Sequence, residues 1–134
     1  MKNNPFDMRK LIALLILLTP LQTVAQSLSM DSCKYFAELV NAERAKRFKK
    51  ELVYQESSQP KLDKSAMQLF YIFKHRVTEK NCAEVICYSH KFSRMFTMFM
   101  NSPKHRKILM GRSKSISVGI FRKDGIYYLC ARTY

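Results

Sequence analysis

Residues Phe92 to Leu109 constrain the fold more than any other stretch, because they join an apolar helix to a basic one across a Ser-Pro step. Phe92, Met95, Phe96, Phe99 and Met100 recur with the helical period and predict one buried face, with Ser89 placed to cap the helix. Core packing is the expected use of this stripe of methionine and phenylalanine, ahead of any lipid or cofactor groove. Ser102 can cap a second helix, and Pro103 suits its first turn, where the missing amide hydrogen had no partner to lose. Gly111 fits the C-terminal stop. His105 then falls at about the third helical position, in the positive end of the helix dipole. That field disfavours the protonated imidazole and leaves a neutral ring able to accept a proton or bind a metal, so His105 is the first candidate functional residue.

The N-terminus reads as a targeting segment. Lys2, Arg9 and Lys10 precede the apolar run Leu11 to Leu18, and Thr23-Val24-Ala25 supplies small residues before a cut, which is the order of a secretory signal peptide over residues 1–25. The apolar run is too short to span a bilayer, although an uncleaved N-terminal anchor is an alternative. The mature chain, residues 26–134, is expected to be one domain, a monomer with a single small core, secreted or periplasmic.

Loss of Lys2, Arg9, Lys10 and Asp7 lowers the net charge of +14 by two. This balance suits acidic partners such as anionic lipid, an acidic glycan or an acidic surface. The basic residues are spread along the chain, with the densest cluster at Arg44 to Lys50, and a specific nucleic-acid site is not expected. Cys33, Cys82, Cys87 and Cys130 all follow the targeting segment, so at least one disulfide is expected in an oxidising compartment. An extended Cys82 to Cys87 would hold its own two thiols about 16 Å apart, leaving Cys33 and Cys130 as their partners. No Cys-x-x-Cys spacing supports a four-thiol zinc site.

Ser29 or Asp31 can start a first helix whose buried face is Cys33, Phe36, Ala37 and Val40, with Glu38, Glu43, Arg44 and Lys46 largely outside it. Gln55 to Lys61 is a polar linker, and Leu62, Ala66, Leu69, Phe70 and Phe73 mark a second helix. His75 falls opposite that apolar stripe, should the helix extend so far, and His90 reads as a surface histidine. Asn81 to Tyr88 has the content of a short strand. Ile116, Val118 and Ile120 alternate with small residues, Asp124-Gly125 is a strong hairpin signal, and Ile126 to Tyr134 returns as the partner strand. Helices first and an antiparallel hairpin last give an α+β class.

The segment Phe99-Met100-Asn101-Ser102-Pro103-Lys104-His105-Arg106-Lys107-Ile108-Leu109 resembles the Trp-Met-x-Ser-Pro-Gly-His-Arg-x-Asn-Ile-Leu signature of the CAP superfamily. These are the cysteine-rich secretory, antigen 5 and pathogenesis-related proteins, and the likeness is to their bacterial SCP-like branch. Leu39-Val40-Asn41-Ala42-Glu43-Arg44 is similar to the motif that opens that domain, and Ala83-Glu84-Val85-Ile86 stands where the family has Gly-Glu-Asn-Ile. Ile116 to Ile120 and Tyr127-Tyr128-Leu129 resemble its closing hairpin. The resemblance implies a three-layer α-β-α sandwich around a small antiparallel sheet. It also implies a surface cleft in which His105, Glu84 and His75 gather, with Phe73-Lys74-His75 standing for the family's Phe-Ser-His. Phe99, Lys104, Val85 and Lys107 depart from the family's residues, and the loop between His75 and Glu84 is short.

Two neutral imidazoles, His105 and His75, with one carboxylate could hold zinc or another divalent metal, although no cofactor is required by the sequence. The expected function is binding of a small ligand, peptide or glycan in this cleft. A metal-assisted or acid-base hydrolase using the same residues is the first alternative, and a cationic protein acting on an envelope or membrane through charge is the second.

Overall fold

The computed structural model describes residues 30–77 and 79–134, so the expected signal peptide at residues 1–25 lies outside them. The first helix, α1, covers residues 30–46 and buries Cys33, Phe36, Ala37 and Val40 on one side, as the periodicity predicts. Arg44 departs from its expected place outside that face and is only 2% exposed. Its burial is supported by donation from Nε to Lys50 O at 2.8 Å and from Nη1 to Leu109 O and Gly111 O, each at 2.9 Å. The helix ends where Lys49 N–H and Phe48 N–H donate back to Arg44 O and Ala45 O, with Phe48 in the left-handed region at φ 55°.

A two-residue strand, β1 (Val53–Tyr54), follows, and a 3₁₀ turn at Glu56–Ser58 occupies the expected linker. Helix α2 (Gln59–Tyr71) has proline in its first turn and buries Leu62, Ala66 and Leu69. It stops before Phe73 and His75, which lie on the connection to β2 (Ala83–Ser89). Helix α3 (Phe92–Asn101) turns at Ser102 into the short α4 (Pro103–Leu109), and β3 (Ser115–Lys123) and β4 (Ile126–Thr133) close the chain. Asp124 and Gly125 have φ of 51° and 76°, the paired left-handed conformations of a tight two-residue hairpin.

The sheet order is β1-β3-β4-β2. The three long strands are antiparallel, as expected, while β1 adds a parallel edge to β3 that the sequence did not signal. Alternation along the strands divides the core in two. Val85, Cys87, Ile116, Val118, Leu129 and Ala131 face α1, α3 and α4, whereas Ile86 and Cys130 face α2. The result is the expected α-β-α sandwich in the α+β class. Gly119 sets how close α2 can come: a Cβ there would lie 2.0 Å from the Leu62 carbonyl carbon. At the same contact the Ile120 N–H donates to Asp63 Oδ1 at 2.9 Å, so the helix also satisfies the sheet edge.

The disulfide expectation is corrected. No bridge joins Cys33, Cys82, Cys87 and Cys130. Cys87 and Cys130 are one register step apart, since Ile86 pairs with Cys130 and Cys87 with Leu129, and their side chains therefore leave opposite faces of the sheet. Cys33 sits in α1 with Sγ 4.0 Å from Asp63 Oδ1, and Cys82 precedes β2 with its thiol toward the Ala83 carbonyl.

Candidate functional site

The Ser-Pro corner places His105 where two helices and β2 converge. Ser102 occupies the expected cap position with extended backbone, but its hydroxyl makes no capping bond; its carbonyl accepts the Arg106 N–H at 2.8 Å. Ser89 likewise lies within β2 rather than capping α3, and its Oγ accepts the Lys91 N–H at 3.1 Å. With Pro103 first, His105 is the third residue of α4, as expected. Its ring meets Phe99 edge-on with centroids 5.2 Å apart. Burial lowers the pKa of His105, and the nearby charge of His75 lowers it further. The neutral ring expected from the helix dipole is thus favoured mainly by desolvation.

His105 lines a groove of about 420 Å³ with Phe73, Tyr88, Met98, Phe99 and Ser102. Phe73 and Tyr88 form one wall, in edge contact at 5.2 Å. Both rings are about half exposed, and Met98 on α3 is 43% exposed. These large apolar groups stay open around a concavity instead of joining the core. The predicted stripe of α3 packs in the core, with Met95 and Phe99 buried and Phe92, Phe96 and Met100 against them, while Met98, outside that face, lines the groove.

Glu84 and His75 come together outside the groove's lining. Glu84 is buried in β2, and its Oε1 lies 3.1 Å from His75 Nδ1 and accepts the Arg76 N–H at 3.2 Å. An ionised carboxylate only accepts, so Nδ1 carries the hydrogen of this contact. The other oxygen, Oε2, takes Arg132 Nε at 2.8 Å and the Cys130 thiol at 3.3 Å. Burial alone would raise the Glu84 carboxyl, but the hydrogen bonds from Arg132, the Arg76 amide and Cys130 outweigh it and hold the pKa below the usual carboxylate range. Burial, reinforced by Glu84, pushes the Cys130 thiol strongly upward, so it donates as a neutral group.

This arrangement does not fit a metal. Among the described residues no group of three His, Cys, Asp or Glu side chains is placed to hold an ion. Glu84, the anionic member of the expected trio, already has both oxygens engaged by fixed donors, which leaves two imidazoles without a carboxylate ligand. Glu84 and the exposed His75 pair with each other, while His105 stands in the groove, whose lining includes neither of them. His90 is exposed, as expected. Arg132 was not anticipated, although a lone cation at an inward position of an apolar strand, matched by Glu84 on another, was the available signal.

No protein-family model matches the sequence, and no curated protein matches it. Among the solved structures that match, two illustrate the fold. An outer surface protein from Borrelia burgdorferi aligns over 75% of this chain and 89% of its own, with TM-score 0.59 and 15% identity. A cysteine-rich secretory protein from Staphylococcus aureus aligns over 78% of this chain but only 38% of its own, with TM-score 0.53 and 18% identity. The three layers, the closing hairpin and these likenesses agree: the chain has the CAP-like fold of the cysteine-rich secretory proteins.

Proposed function

We propose that this chain is an extracellular CAP-type domain that binds an apolar or aromatic group of a small ligand or peptide in the His105 groove. The observation that carries the reading is the concavity itself, walled by Phe73, Tyr88 and Met98, with a neutral imidazole as its main polar group. In this reading His105 orients the ligand by one hydrogen bond. A location outside the cell is supported by the signal-like residues 1–25 and by the two structural neighbours, an outer surface protein and a cysteine-rich secretory protein. Among the described residues no helix is long and apolar enough to cross a membrane.

Titration with the neutral fluorophore N-phenyl-1-naphthylamine tests the reading without involving the protein's charge. Saturable binding is expected, weakened about tenfold or more by Met98→Glu, which places a charge in an apolar wall. Equal binding by wild type and Met98→Glu, or no saturable binding by folded wild type, would overturn it.

A further inference from the structure

The turn that ends α1 carries Phe48 fully exposed and at φ 55°. An L-residue is strained there, and the position after a helix is one that glycine commonly fills. Since the ring packs against nothing, the fold gains nothing from it. The surface around it is basic. Lys49 and Lys50 continue the same exposed turn, and Arg112 and Lys114 arrive from the loop after α4. Arg44 fixes the two loops side by side through its bonds to Lys50 O, Leu109 O and Gly111 O. Together they enclose a groove of about 510 Å³ in which Glu51 is the carboxylate among the described lining residues. Glu43 pairs with Lys46 and Arg47, but among the described residues no carboxylate is in ion-pair distance of Lys49, Lys50, Arg112 or Lys114.

We propose that this end of the molecule is a docking surface for an anionic lipid bilayer, with Lys49, Lys50, Arg112 and Lys114 at the headgroup phosphates and Phe48 inserted at the headgroup–acyl boundary. The complementarity has two parts. Clustered lysine and arginine are drawn to an anionic surface, and a projecting aromatic ring beside them is the composition of an interfacial anchor. A soluble polyanion would use the cations but has no apolar layer for the ring. A single ring is also too small a patch for a stable apolar protein interface. The surface shares no residue with the His105 groove, so it stands independently of the binding reading above.

The chain contains no tryptophan, so Phe48→Trp in the full chain places one reporter at the proposed point of insertion. On phosphatidylglycerol vesicles its emission should shift to the blue and be quenched by brominated acyl chains. Neither effect should occur on phosphatidylcholine vesicles, and both should fade as salt is raised. Adding Lys49→Glu and Lys50→Glu should weaken the response about tenfold or more. In a parallel comparison, Phe48→Gly should reduce vesicle binding while leaving the thermal midpoint unchanged or raised. A fluorophore that stays water-exposed on phosphatidylglycerol, or that inserts equally into phosphatidylcholine, would overturn the proposal. So would tight binding to heparin with no insertion into vesicles, which would assign the surface to a soluble polyanion.

Discussion

Glu84 on β2 and Arg132 on β4 are direct cross-strand partners, joined at 2.8 Å with side chains only 3% and 5% exposed. Each supplies the charge that makes the other's burial tolerable, and Glu84 also accepts from the exposed His75 at 3.1 Å. Removal of Arg132 leaves a buried carboxylate without its cation, whereas removal of the exposed His75 leaves Glu84 with its other donors. Arg132→Ala should therefore destabilise the fold by about 3 kcal/mol or more. His75→Ala should cost less than about 1 kcal/mol. Urea denaturation of both variants beside wild type checks the contrast, and similar losses in the two would show that Arg132 is not the anchor.

The pH dependence follows from two groups of opposite charge type. Burial, and then the charge of His75, lowers the pKa of His105 from 6.5, so the unfolded chain binds this proton first as pH falls. Stability contributed by the neutral ring is full above 6.5 and declines below it, until pH reaches the folded value. Glu84 is also depressed, despite burial, by its donors, so its contribution is present above its unfolded pKa of 4.5 and is lost as pH falls from there through its folded value. Thermal midpoints should thus fall in two stages on acidification. His105→Phe should remove the upper stage and leave the lower, and NMR titration should find the His105 ring below its ordinary pKa.

Gly119 leaves no space for a side chain, because an added Cβ would meet the α2 backbone at Leu62 C and O and at Asp63 N, at 2.0, 2.2 and 2.4 Å. Backbone atoms within a helix cannot turn aside as a flexible side chain can. Gly119→Ala should cost about 3 kcal/mol or more, above the usual range for overpacking by one methyl group. Gly125→Ala, with nothing within 4 Å but φ of 76°, should cost about 1 kcal/mol. Chemical denaturation of the pair separates steric from conformational cost.

The buried thiols should behave as packing groups. Burial pushes Cys87 up to about 12, and it lies on the opposite sheet face from Cys130. Neither should react with a thiol reagent at neutral pH until the chain unfolds, and dithiothreitol should leave the thermal midpoint unchanged. A midpoint that drops on reduction would restore a structural bridge.

Local pattern was enough for much of the architecture. The 3.6-residue period placed α1, α2 and α3. Ser102-Pro103 fixed the corner at His105, and Asp124-Gly125 fixed the hairpin, because helix periodicity and left-handed turn preference are properties of a few adjacent residues. The His75–Glu84 contact came from likeness of motifs, since nothing in the spacing of the two residues brings them together. β1 escaped notice because two residues carry no detectable period, and it exists through pairing with β3.

Other outcomes depended on neighbours far along the chain. Arg44 looked like the solvent side of α1 until carbonyls 65 and 67 residues away gave its guanidinium a buried place. The cysteines looked like a bridging set, yet strand register sent Cys87 and Cys130 to opposite faces. Glu84 looked like a metal ligand, and Arg132, 48 residues on, engaged its carboxylate instead. The sequence by itself determined which helices and hairpin form and where His105 stands, because those are local preferences. Only the tertiary structure decided which charges are paired and which apolar groups stay open, because burial and electrostatic partnership depend on what the fold brings into contact.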